Sequence, residues 1–220
     1  MINRKKYMIL IMVLIIITVS SLAAYAAKDS VWEKAGQDIK NIHENPDNSK
    51  VVALIDDEEV TQINVEIKKA FLTLQGKKPS KNEILNAIAY DKILIKESKQ
   101  RELYPSQGET LDYMNQLRDM QDEAIKNGDT NETYDEWIDY LAGRGMSEDE
   151  YWESEEAITG YQYSLAIARL RSALAEEWGY TPEKLETPQQ INEFEETFNK
   201  KINERVQQAK KEIIEESVFE

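Results

Sequence analysis

A mainly α-helical fold with one short β-strand or ribbon and a long C-terminal helix is predicted from three observations. Capping boxes of the S/T-x-x-E/Q form recur at Ser80/Glu83, Ser106/Glu109, Thr133/Glu136, Ser147/Glu150 and Thr187/Gln190. In such a box the hydroxyl accepts from an early backbone N–H while the longer side chain reaches back to the cap. All five prolines stand at segment ends, where a missing donor and a fixed φ do no harm. Only one stretch, Val51 to Ile55, has the unbroken apolar character of a buried strand.

Residues 1–27 are expected to be an export leader. Arg4, Lys5 and Lys6 form a positive start, Met8 to Val19 is aliphatic apart from Thr18, and Ala24 and Ala26 supply small residues at a cleavage site. The segment from Tyr7 to Ala27 is also long enough to stay as a membrane anchor, since about 20 residues span a bilayer. Both outcomes place the body outside the cytoplasm, either anchored by residues 7–27 or secreted after cleavage near Ala26. Residues 28–50 are expected to hold a short helix, Val31 to His43, and a linker around Pro46.

The strand then meets Asp56 and Asp57, a turn, and a short segment near Glu58 to Val60 that could pair with it. Helices are predicted over 62–75, 81–102, 107–126, 134–142, 148–178 and 189–216. Gly76, Gly128, Gly143 and Gly179 are read as helix exits, where a left-handed residue costs little. The 148–178 helix carries two apolar stripes and so should be covered on both sides. The last helix carries one narrow seam, formed by Ile191, Phe194, Phe198, Ile202, Val206, Ala209 and Ile213. That seam suits packing across its own body or against another chain.

Composition excludes several classes of function. Of 27 Lys and Arg, three lie in the leader, so the body carries 24 against 42 Asp and Glu, a net of −18. Nucleic acid and anionic surfaces call for basic patches, which this balance disfavours for the body as a whole. With no cysteine, disulfides and thiol chemistry are ruled out. The single histidine, His43, lies at a polar helix end and reads as a solvated residue rather than a general base. No phosphate loop or nucleophile elbow is present. Asp129 to Glu132 lacks the alternate spacing and central glycine of a calcium loop. No cofactor, metal site or catalytic residue is therefore expected. The remaining candidate is a peptide-binding surface of Tyr134, Trp137, Tyr140, Leu141, Met146, Tyr151 and Trp152, because aromatics and methionine suit varied apolar partners. The same residues could instead form a core between the 134–142 and 148–178 helices, and an open-edged core would satisfy both readings.

The order of these segments resembles the chaperone domain of SurA/PrsA-type extracytoplasmic foldases. VVALIDDEEVT, from Val51 to Thr61, is similar to that family's opening strand, polar turn and "V/I-T" helix start. ILNAIAYDKILIKESK, from Ile84 to Lys99, resembles its next helix. The Pro105, Ser106 and Glu109 segment follows, and GMSEDEYW, from Gly145 to Trp152, resembles the start of its long helix. The resemblance covers roughly residues 51–178, and 179–220 would be a connecting segment and a C-terminal helix packing on that domain. It implies a SurA N-terminal-like helical cradle that binds unfolded or extended polypeptide clients. The family's parvulin prolyl isomerase domain has no counterpart here, since the final helix follows soon after Trp178 and no histidine lies beyond His43. The expectation is a holdase-like binder without isomerase activity. The alternative is a non-catalytic envelope interaction protein that grips one specific partner or dimerises through the last helix.

Overall fold

The computed structural model describes residues 31–74, 76, 78–129, 132–180 and 187–219. The expected leader, residues 1–27, lies outside them. Among the described residues no helix is long and apolar enough to cross a membrane. The elements are α1 (Val31–Glu44), a 3-10 turn (Pro46–Ser49), β1 (Val51–Ile55), β2 (Glu58–Thr61), α2 (Gln62–Leu74), α3 (Lys81–Gln100), α4 (Gln107–Asn127), α5 (Glu132–Arg144), α6 (Glu148–Glu153), α7 (Glu155–Glu177), α8 (Pro188–Gln208), β3 (Lys211–Ile213) and a closing 3-10 turn (Glu216–Phe219). The fold is mainly helical, as expected.

Four of the five capping boxes form in full, at Ser80, Ser106, Ser147 and Thr187. Thr133 does not cap, because α5 already includes Glu132. The Ser106 box holds the Glu109 carboxyl down at about 2, through the backbone N–H of Ser106 first and then Arg169.

Three expectations are corrected. The predicted 148–178 helix breaks at Ser154, whose extended backbone ends α6 and whose hydroxyl accepts from Ala157 N–H to start α7. A local side-chain cap competes with helix continuation, as serine does well. The last helix stops at Gln208 rather than 216, and the chain beyond it forms β3. The ribbon is therefore a three-stranded antiparallel sheet in the order β2-β1-β3. Asp56 in the β1–β2 turn accepts from Lys210 N–H and donates its own N–H to Lys210 O, pinning the exit of α8 to the sheet. Finally, Gly143 lies inside α5, and the left-handed exit is Gly145.

Two apolar cores result. The larger collects Val52, Ile55 and Val60 of the sheet, Val65 of α2, Ile84, Ile88 and Leu94 of α3, Leu170 and Leu174 of α7, and Phe194, Phe198, Ile202 and Val206 of α8. The seam of the last helix is thus spent on the protein's own body. The smaller core is built by Met114 of α4, Trp152 of α6 and Ala157 of α7, with Trp137, Tyr151, Ile158 and Tyr161 packed around them.

α1 is part of the body as well. It crosses α5 backbone to backbone at Gly36 and Gly143, where a Cβ on Gly143 would lie 1.8 Å from Glu33 O and one on Gly36 would lie 2.1 Å from Tyr140 O. Glycine in mid-helix costs about 1 kcal/mol relative to alanine, and here it permits that approach.

One buried acid joins three helices. Glu97 of α3 accepts from Arg101 Nε at 2.6 Å and from Arg205 of α8, while Arg101 Nη1 reaches Glu177 of α7 at 2.6 Å. Burial works against the charged form, but the two guanidinium groups outweigh it and hold the Glu97 carboxyl below its ordinary value. A carboxylate lowered in the folded state stabilises above its unfolded pKa and loses that contribution as pH falls through the folded one. Glu97→Gln should therefore cost about 1–3 kcal/mol at pH 7, toward the lower end because Arg205 is half-exposed and screened. Denaturant midpoints measured from pH 7 to pH 2.5 should show the gap between variant and wild type closing below about 4.5.

Candidate binding surface

α4, α5, α6 and the first turns of α7 meet around the smaller core. The Ser147 box turns the chain between α5 and α6, and the Ser154 cap turns it again into α7, so Tyr151 and Trp152 are delivered against α5. Trp137 sits at the centre of the rings. Its centroid lies 5.9 Å from Tyr134, 5.6 Å from Tyr151 and 6.4 Å from Trp152. Trp152 stacks on Tyr161 of α7 at 5.4 Å, and Tyr161 meets Tyr113 of α4 edge-on at 6.4 Å. Such ring pairs add about 0.5–1.5 kcal/mol each beyond area burial.

The structure brings the seven sequence-derived residues into one neighbourhood but divides their roles. Leu141 and Trp152 are buried, at 2% and 8% exposure. They face the protein's interior and are structural as they stand. Tyr134, Trp137, Tyr140, Met146 and Tyr151 are partly exposed. Tyr134 donates to Glu148 at 2.7 Å, which also accepts from Gln121 Nε2 at 3.0 Å, tying α4, α5 and α6 together. That bond raises the Tyr134 hydroxyl to about 12. Burial, followed by the nearby Glu156 charge, lifts Tyr140 to about 12 as well. Both phenols stay protonated throughout the neutral range. Arg144 pairs with Glu156 and lies near the Met146 sulfur. His43 Nε2 approaches the same Glu156 at 3.8 Å, which places the single histidine beside an ion pair.

Sequence reasoning missed the contribution of α4. Met114 is buried in the smaller core, and Ile125, eleven residues on, lies on the same helix face at 3.6 residues per turn. Yet Ile125 and Leu111 are both 38% exposed. Between Met114 and Ile125 the same side carries Arg118 and Gln121, which bond to Asp149 and Glu148 of α6, so Leu111 and Ile125 stand as separate exposed apolar residues on α4. Periodicity along 107–127 carried this signal, since Leu111, Met114, Arg118 and Ile125 share one side of the helix. Acids surround these residues, among them Asp112, Asp119, Asp122 and Glu123, all exposed.

Elsewhere, two shallow clefts flank the Glu97–Arg205 pair. The larger, about 350 Å³, is lined by charged groups and Trp178. Among the described residues no group of His, Asp or Glu is arranged to hold a metal ion.

The fold and this surface define a mainly helical, acidic protein with two cores, the smaller of them aromatic and partly exposed. No protein-family description, curated protein or solved structure matches the chain.

Proposed function

We propose that the protein is a non-catalytic, exported holdase that takes up extended or unfolded polypeptide segments on the α4–α5–α6 face. The observation that carries this reading is the exposure of part of the aromatic core to solvent. Trp137, Tyr134 and Tyr151 are partly exposed, and Leu111 and Ile125 add exposed apolar side chains on the neighbouring α4. Rings and a methionine can accept varied apolar side chains. The acidic rim would keep loaded complexes soluble. The segment order that resembles SurA/PrsA-type chaperone domains supports the same reading, with binding but no isomerase activity. The leader would direct the protein out of the cytoplasm, anchored or released.

The test uses an unfolded client at stoichiometric excess of the protein, with client aggregation followed by light scattering and affinity by fluorescence titration. Leu111→Ser and Ile125→Ser alter exposed positions and should shift stability by no more than about 0.5 kcal/mol. Together they should weaken client affinity about tenfold. Unchanged affinity would remove the α4 face from the site, and absence of any aggregation suppression by the wild type would sink the holdase reading.

The rival is a dedicated interaction protein that holds one folded partner. Its seam for dimerisation along the last helix is occupied by the larger core, so such a partner would have to use another face.

A further inference from the structure

We propose that Asn127 is a site of self-modification, where the chain cyclises on its own Gly128 nitrogen and loses the side-chain amide at a rate set by the C-cap of α4. This inference is independent of client binding.

Asn127 is the last residue of α4 and is exposed. Of the asparagines in the chain, it is the one followed by glycine. The reaction starts when the Gly128 nitrogen, having given its proton to solvent, attacks Asn127 Cγ. The N–Cγ bond forms, the Cγ–Nδ2 bond breaks, and the amide nitrogen departs as ammonia, taking a proton back. Water then opens the five-membered imide. Attack at Cγ leaves an ordinary aspartate, and attack at the main-chain carbonyl leaves an isoaspartate linked through Cγ. The net change is one water taken up and one ammonia released. A side chain on the following residue would crowd the attack. Gly128 has none, and nothing lies within 4 Å of the position its Cβ would take.

The fold slows the reaction in two ways. Gly128 is a left-handed cap at φ 73° and ψ 22°. Its N–H bonds Ile125 O at 3.1 Å, and the Asp129 N–H bonds Ala124 O at 2.9 Å. An N–H held in this way gives up its proton less readily. The ring also needs Asn127 Cβ and the Gly128 nitrogen eclipsed about the Cα–C bond, which a helical ψ does not allow. Both obstacles lift when the last turn frays, and helix ends open more readily than the core. Asn48 makes the contrast. It precedes the small Ser49, but it is 3% exposed and its Nδ2 donates to Ile42 O at 2.7 Å, so its amide is held in place. The product at Asn127 loosens the cap in turn. It adds a negative charge at the negative end of the helix dipole, next to the exposed Asp129. The isoaspartate form also inserts one more atom into the turn that Gly128 closes.

The full chain is aged at neutral pH, folded or unfolded in guanidinium, and sampled by peptide mapping with mass spectrometry. Conversion should appear at Asn127 before any other asparagine. It should run about tenfold slower in the folded protein than in guanidinium. Lys126→Gly alters an exposed position of the last turn. Glycine loosens that turn, so the folded rate should come about threefold closer to the same variant's rate in guanidinium. Asn127→Gln should abolish the early conversion. The converted fraction, separated by anion exchange, should show faster hydrogen exchange at Gly128 and Asp129 and unchanged exchange at Met114. Equal rates in the folded and unfolded samples would mean that the cap does not hold the site and would overturn the proposal. So would no conversion at Asn127 in the folded protein by the time the unfolded sample is complete, or earlier conversion at another asparagine. Unchanged exchange at Gly128 and Asp129 in the converted fraction would overturn it as well.

Discussion

Gly143→Ala is expected to be among the most damaging single-methyl additions in this protein. The new Cβ would meet Glu33 O at 1.8 Å and Glu33 C at 2.7 Å. Both are backbone atoms of a helix, so no rotamer change can relieve the clash, and α1 must move off α5. Overpacking in a well-packed contact costs about 1–3 kcal/mol and more where the obstacle is rigid, so a loss of about 3 kcal/mol or more is expected from chemical denaturation. Gly36→Ala should behave alike, since its Cβ would meet Tyr140 O and Arg144 N. Gly160→Ala is the control. Nothing lies within 4 Å of its Cβ in the second turn of α7, and there alanine should stabilise by up to about 1 kcal/mol. If Gly143→Ala and Gly160→Ala had the same effect, the close crossing of α1 and α5 would be wrong. The crossing also bears on the binding surface, because Tyr140 and Leu141 belong to the crossed segment of α5. Client affinity should fall with Gly36→Ala at temperatures where the rest of the protein remains folded.

Phe198→Ala should cost about 3–5 kcal/mol, the range for removing a large aromatic from a core. Phe198 is fully buried at the middle of α8, with ring centroids of Phe194 at 5.9 Å and Trp178 at 6.4 Å. It also supports a cation. The Arg171 guanidinium lies 4.6 Å over the Phe198 ring, pairs with Glu195, and has a buried Nε without a hydrogen-bond partner. Burial lowers the Arg171 pKa, but arginine stays charged in proteins. Loss of the ring would leave a cavity beside a desolvated charge, so Phe198→Leu should recover more than half of the loss. Unfolding followed by tryptophan fluorescence and by circular dichroism should shift together. A variant in which α8 alone detached, with the remaining helices unfolding at the wild-type midpoint, would show that α8 is an appendage and not part of the larger core.

These two sites mark the division between what the sequence reveals and what it conceals. Phe198 was visible as one of seven apolar residues in a helical seam, and the seam was correctly expected to be covered. What covered it was open, because the same pattern serves an intramolecular face or a dimer. Gly143 was misleading. A glycine near a predicted helix end usually supplies a left-handed exit, and Gly145, two residues on, does so. Only the arrival of Glu33 from a distant part of the chain gives Gly143 its role. Ser154 was similar, since an apolar stripe running from Tyr151 past it to Ala168 suggested one helix, while its hydroxyl caps a new one. The ending of α8 was misread because Ile213 continues the helical spacing. Its place in β3 depends on β1 lying alongside.

The candidate surface shows the same limits. The aromatic residues between Tyr134 and Trp152 were recognisable as a group from composition and spacing. Whether each was lining or core depended on the angle between α5 and α6, set by the Ser147 and Ser154 caps. Leu111 and Ile125 were not singled out, because each is an ordinary apolar residue until α4 is seen to extend past the core that Met114 enters.

By itself the sequence determined the helical class, four helix starts, the strand at Val51 to Ile55, and the absence of thiol chemistry. These depend on local physics: capping spacing, proline sterics, strand periodicity and residue identity. The tertiary structure alone decided the third strand, the glycine crossing that holds α1, the internal use of the α8 seam, and which aromatics remain open. Each of these is a contact between residues far apart in the chain, and the energy of such a contact resides in the partner as much as in the residue itself.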